Sequence, residues 1–190
     1  MDIQILRRET AADHLAVEGA VPLMHDALTT TEYVSCLHRI YGVVATWEET
    51  AARIAPAWLQ PTFAARQRKP LLERDLAFFG ETADHESRPM LPGIDNLPSL
   101  LGAMYVMEGS TLGGQFIARH VEARLHLTEG NGNAYFRGHG QQTGPMWKEF
   151  CETLKTTVPD ADTHIVISSA KAMFAVFGAW MQQESAVNAS

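Results

Sequence analysis

The sequence predicts an all-α fold: one domain over residues 1–190, built of helices alone. Apolar positions recur at steps of three and four along most of the chain, the period of one helix face. Prolines and glycines gather in a few stretches between those segments. No segment keeps the alternation of a half-buried strand, and there is no internal repeat or low-complexity tract.

A first helix is expected from Ile3 to Val21, where Ile3, Leu6, Thr10, His14, Val17 and Val21 share a face that turns His14 inward. Thr30 or Thr31, followed by Glu32, opens a second that carries Tyr33, Leu37, Ile40, Tyr41 and Val44. Pro56 and Pro61 bracket a break; Leu71, Leu72, Asp75, Leu76 and Phe79 then form a short helical pattern that Gly80 can end. The proline-bearing segment from Glu81 to Pro98 reads as a surface loop with at most a short helix. A long helical run extends from about Leu97 to Leu125, interrupted by internal glycines. After a glycine-rich loop from Thr128 to Pro145, helices are expected near Met146 to Thr157 and from about Asp160 to Gln183. The last carries Ala170, Phe174, Phe177 and Met181 on one face.

A length of 190 residues suits one domain with a substantial core. The apolar share of 46% and charged share of 19% fit an enzyme or a binding module equally. A formal net charge of −7 excludes a broad cationic surface, and with it a general affinity for nucleic acid. Cys36 and Cys151 are too few for a disulfide framework and read as buried thiols. The N-terminal residues contain no apolar signal region, and no run approaches the roughly 18 uninterrupted apolar residues of a membrane span. A cytoplasmic protein without membrane attachment is expected.

Chemistry concentrates in two places. The first is Tyr105-Val106-Met107-Glu108-Gly109-Ser110-Thr111-Leu112-Gly113-Gly114-Gln115, inside the strongest helical pattern. Three interior glycines penalise a helix by on the order of 3 kcal/mol relative to alanine, so something must require them. Missing side chains let a backbone approach a flat ligand and let the helix bend over it. The same Gly-x-x-x-Gly spacing also lets two helices pack closely. A phosphate-binding loop is not supported, because the lysine after the second glycine and the strand-to-helix setting are missing.

The second place is Arg7 through His14, with Glu18 four residues further on. Residues i and i+4 are helix neighbours, so Glu18 can accept the Nδ1 proton of His14, directly or through water, leaving Nε2 for a metal. Arg7 lies two turns before His14 and can reach a carboxylate at the edge of a ligand held there. An inward histidine can equally be a hydrogen-bonded core residue. The other histidines, His25, His38, His85, His120, His126, His139 and His164, show no zinc spacing and read as surface or structural residues.

Taken together these two stretches resemble the biliverdin-producing haem oxygenase family. Leu6-Arg7 through Thr10 to His14 resembles the family's N-terminal helix, in which a basic residue precedes Thr-x-x-x-His. Gly109-x-x-x-Gly113-Gly114-Gln115 resembles its distal helix. The order and separation of the motifs also fit, and compatible helical segments cover nearly the whole chain. The variant Tyr105-Val-Met-Glu-Gly-Ser-Thr-Leu-Gly-Gly is most similar to bacterial members associated with bacteriophytochromes, which use biliverdin as chromophore. Two positions depart from the common pattern: Ser110 stands where many members carry Asp, and Met104 stands in place of a tyrosine, with Tyr105 adjacent.

The resemblance implies haem as both substrate and cofactor, held between a proximal helix and a kinked distal helix. His14 would be the axial iron ligand, with Arg7, Glu18, Tyr105, Gly109, Gly113 and Gly114 around the cofactor. Gly109, Ser110 and Gly113 would shape the oxygen-binding side. It implies cleavage of haem to biliverdin, CO and iron by O2, with electrons from a separate ferredoxin or reductase, since no flavin or nicotinamide fingerprint is visible. Lys148 and Lys155 join Arg7 as propionate candidates, and Arg7 and Arg8 as part of a docking surface for the redox partner. A bacteriophytochrome is the implied biliverdin acceptor. Two other readings remain at this point: a haem carrier or sensor without turnover, and a helical bundle with His14 in its core and the glycines at a packing seam.

Overall fold

The computed structural model describes residues 1–183; residues 184–190 of the expected domain lie outside the described residues. Among the described residues the chain forms α1 (Ile3–Glu9), α2 (Ala11–Ala20), α3 (Thr30–Ile54), α4 (Gln60–Ala64), α5 (Lys69–Phe78), α6 (Leu97–Leu125), α7 (Ala134–Arg137), α8 (Thr143–Thr157) and α9 (Thr163–Gln182). Short 3-10 turns at 140–142 and 160–162 lead into α8 and α9.

Local chemistry explains most of the boundaries. At the start of α3, Thr29 Oγ1 accepts from Glu32 N at 3.2 Å and Glu32 Oε2 accepts from Thr29 N at 2.8 Å, a reciprocal cap one residue before the expected start. The helix runs to Ile54, where Ala55 turns extended ahead of Pro56. Asn96 and Ser99 cap α6 in the same reciprocal way, with Pro98 in its first turn, and His126 closes it in the left-handed conformation. α6 spans the expected residues, and its helical bonding continues unbroken through Gly109, Gly113 and Gly114. The expected loop between Thr128 and Pro145 also holds the single turn of α7.

The expected first helix is divided. Thr10 takes φ −105° and ψ 3°, its hydroxyl donates back to Leu6 O at 2.8 Å, and α2 starts anew at Ala11. Buried Ser/Thr hydroxyls that return to the preceding turn bend helices in this way.

The buried side chains form one contiguous cluster drawing on α1 through α9. α9 is its central support, packing against α6, α2 and α3. Val166, Ala170, Met173, Phe174, Phe177 and Met181 turn inward, including all four of the expected face residues. The segment Asp160–Gln182, with mean hydropathy 1.3, is long and apolar enough to cross a membrane by length and composition, although Asp162, His164, Ser168, Ser169 and Lys171 interrupt its apolar run. Its apolar face is taken up by the protein's own core.

Close approach is achieved with glycine. A Cβ at Gly102 of α6 would stand 2.4 Å from Val166 O of α9, so only a bare backbone permits this crossing.

Candidate active site

α2 and α6 both rest on α9, and each turns an unburied face away from the core. On α2, Val17 meets Gly178 of α9, and the His14 ring stands edge-on to Phe174 at 5.8 Å. His14 is not inward as expected: its side chain is 54% exposed, and Leu15 beside it is 69% exposed. α2 buries only Ala20, so His14 stays at the margin of the α2–α9 contact, against Phe174. Glu18 Oε1 lies 3.6 Å from His14 Nδ1. That is ion-pair range but too long for a direct hydrogen bond, leaving the water-mediated arrangement.

On α6, Tyr105, Gly109 and Gly113 follow at i, i+4 and i+8 along one stripe. Trp147 of α8 lies over its start, 5.6 Å from the Tyr105 ring and 3.8 Å from where a Gly109 Cβ would be. Nothing stands within 4 Å of a Cβ at Gly113. Leu112 and Phe116 beside it are exposed at 41% and 67%. Exposed leucine and phenylalanine grouped around bare backbone form a surface fit for a flat apolar ligand. Gly114 differs from this stripe. Its Cβ would stand 2.6 Å from Phe136 O, so it carries α7 and is corrected from a ligand-facing glycine to a packing one.

Arg7, Thr10 and Tyr105 converge where the α1–α2 joint meets α6. Burial pushes the Tyr105 phenol up, opposed by a hydrogen bond with Thr10 and by the nearby charge of Arg7. Arg7 is exposed, close enough for its charge to act on Tyr105. Lys148 and Lys155 are both exposed on α8, and Lys155 pairs with Glu152 at 3.6 Å.

Behind Ser110 lies a polar network that the sequence did not disclose. Ser110 Oγ donates to Met107 O at 2.7 Å, and Arg68 Nη2 donates both to Met107 O at 2.7 Å and to Ser110 Oγ at 3.1 Å. The Arg68 guanidinium sits 4.8 Å over the Tyr135 ring. Arg68 is held in turn by Glu48, whose Oε1 accepts its backbone N–H at 2.5 Å. Two residues before Ser110, Glu108 accepts from Arg66 Nη1 at 2.6 Å, and Arg66 also reaches Glu149 at 2.9 Å. Burial pushes the Glu108 carboxyl up, with the two guanidiniums opposing it. Glu108 was visible in the sequence as an acidic residue in an otherwise small and apolar run. Arg66 and Arg68 belong to a polar stretch that reads as solvated, yet they are 5% and 4% exposed. Only the fold reveals them.

Two hollows lie elsewhere: one of about 440 Å³ lined by Gln115, Arg119, Glu129 and Arg137, and one of about 320 Å³ beside Met90 and Trp180. Neither includes His14 or the Gly109–Gly113 stripe. The described residues hold no cluster of three or more acidic, histidine or cysteine side chains that could bind a metal ion on their own. A haem iron, held by its porphyrin, needs only one further protein ligand. The exposed His14 imidazole and the exposed apolar, glycine-lined surface of α6, on two helices that share the α9 support, fit that group.

Comparison with known proteins agrees. The chain is 28% identical over 155 residues to a heme oxygenase of Xanthomonas campestris pv. campestris (strain 8004), covering 80% of this chain and 90% of that one. Its fold is similar to that of the heme oxygenase from Leptospira interrogans, with TM-score 0.77 and 22% identity over 94% of this chain and 97% of the other. It is also similar to the NO- and CO-bound heme oxygenase of Neisseria meningitidis, with TM-score 0.78 and 21% identity over 94% and 89%. The profile of the family described as heme oxygenase matches residues 3–183, which takes in both exposed helix faces and the α9 support between them, and the chain belongs to the haem oxygenase family.

Proposed function

We propose that this enzyme cleaves haem to biliverdin, CO and iron in the cytoplasm, using O2 and electrons from an external ferredoxin or reductase. The observation that carries the reading is the pairing of an exposed His14 on α2 with the open Gly109–Gly113 stripe on α6, both supported by α9. Bound haem supplies the iron at which O2 is activated and is itself the ring that is opened.

The residues act in distinct ways. His14 would hold the haem iron through Nε2, and Glu18 would orient the imidazole by accepting its Nδ1 proton through water. Arg7 meets a propionate at the edge, beside Tyr105 and Thr10. Gly109 and Gly113 would let the α6 backbone come close to the flat ring and limit the room beside it. Ser110 has its hydroxyl proton committed to Met107 O, so it takes part as an acceptor within the Arg68 network rather than as a free acid. Biliverdin supply to a bacteriophytochrome is the physiological role we assign, resting on the Gly109-Ser110-Thr111-Leu112-Gly113-Gly114 variant; iron release is the other use of the same chemistry.

Hemin titration followed by ascorbate tests the reading. Stoichiometric binding and conversion of the spectrum to that of biliverdin are expected. A Soret band that persists under reductant and air identifies a carrier or sensor, and failure to bind hemin removes the haem assignment altogether. In the same assay His14→Ala should still take up hemin but lose turnover, with partial recovery on adding imidazole. An unaltered ligand spectrum and normal biliverdin formation in this variant would show that His14 is not the axial ligand.

A further inference from the structure

Residues 21–29 run from the end of α2, the helix of His14, to the capped start of α3. Leu23 and Leu28 are buried at either end of this run, and Met24, His25, Asp26 and Ala27 between them are exposed. The exposed part is held from the side by α6. Arg124 Nη2 pairs with Asp26 Oδ1, and His120 Nε2 donates to His25 O at 3.1 Å. On the α3 side, Glu32 of the reciprocal cap lies 4.0 Å from His25 Nε2.

His120 and Arg124 follow Gly113 by seven and eleven residues, which on an α-helix brings both to within about 20° of it around the axis. Both contacts therefore fall on the stripe of α6 that carries the open glycines, about two and three turns further on. α2 and α6 each pack on α9 and scarcely on each other. Their spacing is thus set by α9 at the back and by residues 21–29 at one end. The pairing of Asp26 and Arg124 is exposed on both sides, and an exposed ion pair is weak and screened by salt. Such a contact ties two elements together without locking them.

We propose that residues 21–29 are a strap tying the His14 helix to the far end of the glycine stripe, with Asp26 and Arg124 as its positioning pair, and that the strength of this tie governs how fast haem leaves. The proposal rests on the haem oxygenase reading above. Asp26 and Arg124 act through the two helices they join, by holding α2 at a fixed distance from the Gly109–Gly113 stripe.

The test compares the full-length wild type with Asp26→Asn, with Arg124→Gln, and with the exchanged pair Asp26→Arg and Arg124→Asp, each loaded with ferric hemin. Hemin release is timed by transfer to excess apomyoglobin at about 20 mM and about 500 mM salt, which bracket weak and strong screening. In wild type, salt should speed release about threefold. Each single variant should release hemin about threefold faster at low salt and lose most of the salt response, with its thermal midpoint near wild type. The exchanged pair should return to within about twofold of wild type in both respects. Amide hydrogen exchange along α2 and residues 21–29 of the hemin-free protein reads the same tie: protection should fall in the single variants and recover in the exchanged pair. Unmoved release in both single variants overturns the proposal. So does a salt response that survives in them, or an exchanged pair that loses hemin as fast as they do. If the wild type takes up no hemin, the haem reading fails, and hydrogen exchange alone decides the strap.

Discussion

Gly102 and Gly113 lie on the same helix and have opposite uses. At Gly102 a side chain would collide with the Val166 carbonyl at 2.4 Å; at Gly113 it would meet nothing within 4 Å. From Ser99 to Glu108 α6 is buried almost throughout, whereas from Ser110 onward it leaves Ser110, Leu112, Gly113 and Phe116 exposed. A glycine under a neighbouring helix is kept by packing. One that faces open space and still costs the helix about 1 kcal/mol is kept by something other than the fold.

The largest effect that separates the two belongs to Gly102→Ala. The new methyl meets backbone rather than a flexible side chain, so α6 and α9 must part, and a loss of about 3 kcal/mol or more is expected in denaturant unfolding. A variant as stable as wild type would mean that the two helices are not fixed at this crossing. Gly113→Leu should do the reverse, preserving or raising the thermal midpoint while cutting biliverdin formation by about a hundredfold. Full activity in that variant would remove Gly113 from the ligand face.

A subtler measurement addresses the clamp that Gly114 packs on. Asp75 accepts the backbone N–H groups of Ala134 at 2.7 Å and Tyr135 at 2.8 Å, fixing the start of α7, yet burial pushes its carboxyl up to about 6. Because the folded-state value lies above the unfolded one, the native state binds the extra proton. Its contribution to stability is fully present below the unfolded value and is lost as pH rises through about 6. Unfolding free energies at intervals between those values should therefore decline with pH in wild type. Asp75→Asn should lack this component; the same slope in both proteins would assign the pH dependence elsewhere.

Ser110→Ala should have the smallest effect. Turnover should fall by less than tenfold, about 1.4 kcal/mol in barrier, with hemin affinity nearly intact. Arg68 still reaches the Met107 carbonyl at 2.7 Å without the hydroxyl. Complete loss of ring opening would make Ser110 the essential proton donor.

Much of this was legible in the sequence, and the gaps have physical causes. The extent of α6, the capped start of α3 to within one residue and the inward face of α9 follow from spacing and caps. The division at Thr10 does not, because an apolar period continues through it and the backbone bonds from Thr10 N to Leu6 O and from His14 N to Thr10 O are kept across it. Gly113 and Gly114 are neighbours in sequence but about 100° apart around the helix, and only the position of α7 shows which of them is packed. Arg66 and Arg68 escaped because a run of arginine, glutamine and lysine reads as solvated, whereas buried carboxylates and carbonyls from distant elements draw both inward.

The guanidinium beneath Ser110 bears on how such sites exchange residues over time. A carboxylate at this position, as in many members of the family, would find Arg68 already within reach and close a partly buried ion pair, whose attraction is largely offset by desolvation. Ser110→Asp alone would therefore produce a neutralised pair instead of a charge free to order water. Ser110 and Arg68 are thereby coupled, and Ser110→Asp keeps a free charge only where Arg68 is replaced as well.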